Sequence, residues 1–131
     1  MKFLSIISLV ALASAAPAEL FKRDSATCGK VTYNDAAIQA AASSSCEHVQ
    51  NGDTAGSSTY PHQYKNFEGF KFKGIAGPYF EFPIMSSGKE YTGGSPGADR
   101  VIIAKEKCEV VGVITHQGAK GNNFVACSGT S

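Results

Sequence analysis

Four side chains that can transfer protons or hold negative charge lie in apolar, strand-like stretches of the sequence: Glu81, His116, Arg100 and His62. Glu81 lies in the alternating stretch 79–84, and His116 ends the apolar stretch 110–116. Burying a polar group costs free energy unless it has a partner. One such residue is more often a solvated or hydrogen-bonded side chain than a catalyst. Four of them in one small sheet lead to the hypothesis of a catalytic set.

A carboxylate, two imidazoles and a guanidinium suit the cleavage of RNA through its own ribose hydroxyl. That reaction needs a base for the 2′-proton, an acid for the departing 5′-oxygen, and cationic donors around the phosphorane-like charge. Glu81 would be the base and His116 the acid, with Arg100 and His62 stabilising charge. Because the nucleophile is already tethered to the substrate, we expect neither a metal nor a cofactor.

One helix and several short strands are predicted to position these side chains. Asn34 and Asp35 offer N-cap side chains before an Ala-rich segment, and Asn51-Gly52-Asp53 ends that segment. The helix has about four turns. Its core-facing positions recur at helical spacing: Ile38, Ala42, Cys46 and Val49.

The remainder reads as strands and Gly- or Ser-rich loops. Strands are predicted at 79–84, 101–104, 110–116 and 124–127, with further strand character at 60–64. In the first of these, Phe80, Phe82 and Ile84 share the expected core face, and Tyr79, Glu81 and Pro83 the opposite face. We therefore expect an α+β fold in which one α-helix packs on a twisted antiparallel β-sheet.

The first 23 residues have the pattern of export and processing signals. Met1-Lys2 is a basic start, and Ala13-Ser14-Ala15 has the small-x-small form of a signal-peptidase site. The apolar run between them is shorter than the roughly 20 residues of a membrane span. Lys22-Arg23 is typical of a pro-segment end. We expect a signal peptide at 1–15, a pro-segment at 16–23 and one secreted, non-membrane domain at 24–131.

Four cysteines in an exported chain predict two disulfides: Cys28, Cys46, Cys108 and Cys127. Spacing alone does not choose among the three possible connectivities. A metal site is the competing interpretation, which the absence of any C-x-x-C spacing disfavours.

The expected mature domain is close to neutral. The full sequence has 12 Lys and Arg residues and 11 Asp and Glu residues. Three of the basic residues and one of the acidic residues lie in the first 23 positions, which leaves 9 basic and 10 acidic residues in the domain. A protein that holds nucleic acid mainly through phosphate charge needs many basic contacts. This composition excludes a tight, non-specific nucleic-acid binder but not an enzyme that binds RNA briefly.

Four blocks of the sequence resemble the motifs of the fungal guanyl-specific ribonucleases, in order and over essentially all of 24–131. They are 60–70 (YPHQYKNFEGF), 78–84 (PYFEFPI), 93–101 (GGSPGADRV) and 112–124 (GVITHQGAKGNNF). The resemblance implies a disulfide-stapled microbial ribonuclease fold. It also implies cleavage of single-stranded RNA after guanosine, through a 2′,3′-cyclic phosphate that is hydrolysed to a 3′-phosphate.

The same resemblance assigns roles to individual residues. It makes Glu81 the general base and His116 the general acid, with His62 assisting the base and Arg100 at the phosphate. Tyr60 becomes a hydroxyl donor to the phosphate, and Phe124 an apolar neighbour of the reacting centre. The implied disulfides are Cys28–Cys127 and Cys46–Cys108. Single-stranded RNA is the expected partner of a monomer with no obligate protein partner.

Guanine recognition is implied at the segment 64–68. Guanine presents two adjacent donors along its pairing edge, which one carboxylate can accept, and Glu68 stands where the family places that carboxylate. Backbone N–H groups of Lys65, Asn66 and Phe67 would serve the guanine acceptors. Tyr64 and Phe67 would sandwich the base by stacking, and Asn122 would offer a carbonyl to the amine. From the residues alone, the segment reads as a surface turn with aromatic packing.

Two departures from the family pattern bear on the strictness of guanine preference. Lys65 stands where the family commonly has Asn, and Phe67 replaces a common Tyr. Two other functions fit these residues less well. A ribotoxin-like enzyme is disfavoured because the loops are short and not Lys-rich, and a non-catalytic secreted binding protein is disfavoured because the catalytic set is complete.

Overall fold

The computed structural model describes residues 25–131, so the expected signal peptide and pro-segment lie outside the described residues. Within this part of the chain there are seven strands, one α-helix and one short 3-10 helix. In chain order they are β1 (Ala26–Cys28), β2 (Val31–Tyr33), α1 (Asp35–Asn51), β3 (His62–Tyr64), the 3-10 helix (Phe72–Gly74), β4 (Tyr79–Pro83), β5 (Asp99–Ala104), β6 (Glu109–Thr115) and β7 (Val125–Ala126). None of the described helices is long and apolar enough to cross a membrane.

Helix α1 has the predicted ends. The Asn34 side chain accepts a hydrogen bond from the Ala37 N–H at 2.8 Å and so satisfies one of the free donors of the first turn. Gly52 ends the helix in the left-handed region with φ of +74°, which glycine adopts without steric cost. Ile38 and Ala42 on its inner face are buried against the sheet.

The sheet contains five strands in the order β3-β4-β5-β6-β7, and each strand is antiparallel to its neighbours. This confirms the α+β prediction of one helix on an antiparallel sheet. Strands β1 and β2 form a separate two-stranded hairpin, which the sequence did not predict because three-residue strands are too short to show a period. The predicted strand at 101–104 begins earlier, at Asp99, and β6 ends at Thr115, so His116 follows the strand.

Buried apolar side chains lie on both faces of the sheet. On the helix side the core includes Ile38, Phe82, Val101, Ile103 and Val113. The opposite face carries a second cluster: Tyr64, Phe72, Ile102, Ala104, Val111 and Ile114. Tyr79 packs against this second cluster, with its ring 4.8 Å from that of Phe72. The face of β4 that carries Tyr79 and Glu81, which we expected to lie opposite the core, therefore borders a second buried cluster.

Both disulfides tie distant parts of the chain together. Cys28–Cys127 joins β1 to the residue after β7 across 99 residues, and Cys46–Cys108 joins α1 to the β5–β6 turn. This is the pairing that the family resemblance implies. Beside the first bridge, Thr27 and Ser128 exchange two hydrogen bonds at 2.8 and 3.0 Å. The first strand is thus fastened to the end of the chain.

Candidate active site

Strand register places the four predicted catalytic side chains on one face of the sheet. His62 lies opposite Glu81 across β3 and β4. Arg100 lies opposite Pro83, and side chains two residues apart along a strand share a face. Arg100 in turn lies opposite Ile114, two residues before His116. The four residues therefore follow a diagonal across the face that also carries the second cluster.

The Glu81 carboxylate lies between two basic side chains. It is 7% exposed. Its Oε2 is 3.2 Å from His62 Nε2, and its Oε1 is 3.3 Å from Arg100 Nε. A buried carboxylate requires such partners. Because it has about four lone-pair sites, the positions that these two contacts leave can accept a proton from a substrate.

Arg100 is fixed by contacts other than its ion pair with Glu81. Its Nη1 donates to the carbonyls of Gly97 and Asp99 at 2.7 and 3.0 Å, and its Nη2 donates to the Tyr60 hydroxyl at 3.2 Å. The guanidinium carbon also lies 5.0 Å from the centre of the Tyr60 ring. Arg100 Nε, in contrast, makes no hydrogen bond despite its distance to Glu81, so that contact is electrostatic. The cation is thus held in place before any phosphate arrives.

His62 is stacked and bonded at both ring nitrogens. Its ring lies 4.6 Å from that of Tyr60, at an interplanar angle of 29°. Nδ1 is 3.1 Å from the carbonyl of Thr59, while Nε2 faces Glu81. A carbonyl and a carboxylate can only accept, so the doubly protonated imidazolium is the form that satisfies both contacts. His62 can therefore supply positive charge beside the carboxylate.

His116 has one ring nitrogen engaged by the backbone. Nδ1 lies 2.8 Å from the carbonyl of Asn123, which fixes the proton on Nδ1 because a carbonyl only accepts. The ring stacks on Phe124 with a centroid separation of 3.9 Å and an interplanar angle of 24°. Nε2 is then the nitrogen that can take up and release a proton during a reaction.

The predicted guanine-binding segment is a turn held by Asn66. The side chain of Asn66 both donates to the carbonyl and accepts from the N–H of Phe70, at 2.8 and 2.9 Å. Its φ of +57° lies in the left-handed region that asparagine tolerates better than most residues. These bonds close the turn 66–70, which carries Glu68.

The Glu68 carboxylate already holds one donor at each oxygen. Oε1 accepts the Tyr64 hydroxyl at 2.6 Å, and Oε2 accepts the backbone N–H of Phe124 at 3.0 Å. Burial, followed by the hydrogen bond to Glu68, raises the pKa of the Tyr64 phenol well above its usual range. The phenol thus remains a donor at neutral pH. The remaining lone pairs of the carboxylate are free to accept the two donors of a base.

The two aromatic rings expected to sandwich the base differ sharply in exposure. Phe67 is 89% exposed, whereas Tyr64 is 6% exposed. The Tyr64 ring packs against Phe70 and, edge to face, against Phe124. Phe67 is therefore the ring that offers an open face for stacking, and a sandwich requires the Tyr64 ring to be uncovered. Lys65 and Asn122 are both exposed.

Two buried residues that the sequence did not single out support the site. Asp99 accepts hydrogen bonds from Tyr33 at 2.5 Å and from Thr115 at 2.6 Å, and so joins the hairpin to β5 and β6. Tyr91 packs edge to face on Tyr60 with the centroids 5.9 Å apart. The first residue fixes the strand ends that carry Arg100 and His116, and the second fixes Tyr60. Their partners are remote in sequence, so no local pattern indicates them.

A groove of about 580 Å³ lies on the other side of the molecule, between α1 and the loop after β4. Ala37, Ala41 and Glu90 are among its lining residues, and none of the four catalytic candidates is. Within residues 25–131, no three His, Cys, Asp or Glu side chains are grouped so that they could hold a metal ion. The candidate active site is thus identified by its arrangement of acid, base and cation, not by a deep cavity.

Comparison with known proteins agrees with this geometry. A protein-family model described as ribonuclease matches residues 21–128. Guanyl-specific ribonuclease Th1 of Trichoderma harzianum is 62% identical over 107 residues, which cover 82% of this chain and all of that protein. Extracellular guanyl-specific ribonuclease Fl1 of Gibberella baccata is 54% identical over 108 residues, which cover 82% of this chain and all of that protein.

A solved structure shares the fold at lower identity. The solution structure of the deletion mutant Δ(7–22) of the cytotoxic ribonuclease alpha-sarcin matches with a TM-score of 0.57 and 23% identity, and the match covers 81% of this chain and 99% of that one. That likeness supports the fold alone. The family model and the relatives decide the identity: this chain belongs to the ribonuclease family.

Proposed function

We propose that this chain is a secreted, guanyl-specific endoribonuclease that cleaves single-stranded RNA on the 3′ side of guanosine. The single observation that carries the proposal is the Glu81 carboxylate, held between His62 and Arg100 on the sheet face that leads to His116. Relatives that are 62% and 54% identical bear the name guanyl-specific ribonuclease, which supports the same substrate here.

In the first step the ribose 2′-oxygen attacks the phosphorus atom. The 2′-proton passes to Glu81, the bond between phosphorus and the 5′-oxygen breaks, and that oxygen takes a proton from Nε2 of His116. The product is a 2′,3′-cyclic phosphate and a free 5′-hydroxyl. General acid–base catalysis of this kind contributes about 10²–10⁴-fold to a rate.

Charge that develops on the phosphoryl oxygens is met by fixed donors. Arg100 and the Tyr60 hydroxyl are two of these donors, and Arg100 Nη2 lies 3.2 Å from the hydroxyl oxygen. The His62 imidazolium adds a second cation. Donors held in place before the reaction cost no reorganisation when the charge develops. The Phe124 ring excludes water from one face of His116 and holds its plane.

The second step is hydrolysis of the cyclic phosphate by the reverse sequence of proton transfers. A water molecule attacks phosphorus and gives a proton to His116, which the first step left deprotonated. Glu81 returns its proton to the departing 2′-oxygen. The 3′-phosphate is released, and both groups regain their starting protonation states.

Guanine is chosen by hydrogen bonding at the 64–68 segment. The open lone pairs of Glu68 accept the ring N–H and the amine of the base. Backbone N–H groups of Lys65, Asn66 and Phe67 serve its carbonyl and ring nitrogen, and the Asn122 carbonyl adds an acceptor for the amine. The exposed Phe67 ring then stacks on the base, an interaction worth about 1–3 kcal/mol in other systems.

The enzyme acts outside the cell as a monomer without an obligate protein partner, a membrane or a cofactor. The signal-like start of the sequence and the word extracellular in the name of the Gibberella baccata relative support export. The near-neutral charge of residues 24–131 suits brief contact with RNA rather than tight binding along its backbone.

The proposal is tested by incubating the purified chain 24–131, in chelator, with a single-stranded oligoribonucleotide that contains one of each base. We expect cleavage after G alone, with a cyclic phosphate at the new end. Cleavage after several bases would retain the catalytic assignment but refute strict recognition by the 64–68 segment. A folded, disulfide-bonded chain that cleaves nothing would refute the proposal and favour a secreted binding protein.

A further inference from the structure

The carboxylate proposed to read guanine is also bonded to the segment that holds the general acid. Glu68 Oε2 accepts the backbone N–H of Phe124 at 3.0 Å, across 56 residues of sequence. Its other oxygen is oriented by the Tyr64 hydroxyl at 2.6 Å. One acceptor atom of the base site therefore fixes the backbone at Phe124.

Phe124 and the residue before it make the two contacts that orient His116. The Phe124 ring stacks on the imidazole at 3.9 Å, and the Asn123 carbonyl accepts from Nδ1 at 2.8 Å. Other contacts to this segment are the edge-to-face packing of the Phe124 ring on Tyr64 and a hydrogen bond from the Asn123 N–H to the Lys120 carbonyl at 2.9 Å. Residues 121–123 are exposed, and the adjoining strand β7 is two exposed residues long. The bond from Glu68 is thus the side-chain contact that fixes the Phe124 N–H, between the two groups that orient His116.

We propose that Glu68 is, in addition to its part in base recognition, a positioning residue for the general acid His116. This inference rests on the proposed function, since it concerns the protonation of the leaving 5′-oxygen. When Glu68 is held between guanine, Tyr64 and Phe124, the base site and His116 become one unit. Base recognition then raises the rate of bond breaking as well as the affinity.

The role of an acid can be separated from base binding by the leaving group. A nucleoside 5′-oxygen is strongly basic and needs a proton as it departs, whereas 4-nitrophenolate departs without one. Two substrates share guanosine 3′-phosphate and differ only in that group: a guanosine–uridine dinucleotide and guanosine 3′-(4-nitrophenyl phosphate). A loss of base recognition lowers kcat/KM on both equally, and a displaced acid lowers it further on the dinucleotide.

Two kinds of substitution at Glu68 form a matched comparison. Glu68→Gln retains an amide oxygen for the Phe124 N–H and an amide NH₂ that can donate to the Tyr64 hydroxyl, but it cannot accept both guanine donors. Glu68→Ala removes both functions. Glu68→Leu does the same with a larger side chain and serves as the second variant should the alanine chain not fold.

We expect Glu68→Gln to lower kcat/KM by the same factor on both substrates. Glu68→Ala and Glu68→Leu should lower kcat/KM on the dinucleotide by at least about tenfold more than on the nitrophenyl ester. This extra factor is smaller than the whole contribution of a general acid, because His116 is displaced but not removed. The extra loss should be found in kcat. Equal losses on the two substrates in all three variants would overturn the proposal.

NMR of the His116 ring protons gives a readout that does not depend on turnover. The stacked Phe124 ring shifts those resonances, so they should move towards solvent-exposed values in Glu68→Ala and stay near the wild-type positions in Glu68→Gln. Unmoved resonances in Glu68→Ala would also overturn the proposal. If the wild-type chain cleaves neither substrate, the proposed function fails, while this comparison still decides whether Glu68 holds Phe124 against His116.

Discussion

Replacing Glu81 with glutamine tests the centre of the site with little change in shape. The amide cannot take the 2′-proton, so turnover should fall by about 10²–10⁴-fold, the usual contribution of a general base. The change also removes the countercharge of Arg100, which is 3% exposed. Breaking a fully buried pair costs about 3–5 kcal/mol. Because Arg100 keeps its bonds to two carbonyls and Tyr60, we expect a smaller loss, about 1–3 kcal/mol.

Two assays separate these effects. Initial rates on a guanosine dinucleotide measure the base, and urea unfolding measures the ion pair. Glu106→Gln is the matched control, because Glu106 is exposed and a substitution at such a position usually changes stability by less than about 0.5 kcal/mol. Near-normal turnover in Glu81→Gln would refute its role as base. Unchanged stability would refute the view that Glu81 neutralises a buried cation.

Three further predictions concern pH and the buried hydrogen bonds. The dependence of kcat/KM on pH should be bell-shaped, because the mechanism needs one group that accepts a proton and one that donates a proton. A monotonic rise from pH 4 to 9 would contradict the assignment of Glu81 and His116 to these roles. Asp99→Ala should lower the free energy of unfolding by at least about 3 kcal/mol, because it leaves the buried hydroxyls of Tyr33 and Thr115 without their carboxylate acceptor. Urea unfolding beside the exposed-site control Glu106→Ala would show an equal, small loss if Asp99 were unimportant. Burial raises the pKa of the Tyr33 and Tyr64 phenols in the folded state, and their hydrogen bonds to carboxylates raise it further. Above about pH 10 the unfolded state therefore binds fewer protons than the folded state, and the free energy of unfolding should fall as the pH rises. Tyr33→Phe should flatten that fall in urea titrations at pH 9–11, and an unchanged slope would contradict the assignment.

Local patterns predicted the parts of the fold that depend on neighbouring residues. The helix ends followed from Asn34 and Gly52, whose side chain and backbone act within one turn. Alternation around Glu81 identified β4 because side chains alternate across a strand. The four candidate catalytic residues stood out for the same reason, since each is polar within an apolar strand pattern. The structure then brought them to one face.

The parts that the sequence alone did not predict depend on contacts between remote residues. Asp99 meets Tyr33 across 66 residues, and Glu68 meets Phe124 across 56. The second cluster draws Phe72 from a turn with left-handed backbone at φ of +47°, a conformation that no residue pattern indicated. Cysteine spacing left three pairings open, and the family resemblance was needed to choose the one that the structure has.

The bridge between Cys28 and Cys127 has a consequence for the cell that makes this protein. Closing a loop of this length stabilises a chain by about 4–5 kcal/mol in the entropic model, a large share of the 5–15 kcal/mol that a small domain has in total. Thiols in the cytosol stay reduced. Under the export that we propose, a copy that stays in the cytosol lacks both bridges and spends more of its time unfolded. The proposed secretion would therefore give the nuclease its full stability only outside the compartment that holds its producer's own RNA.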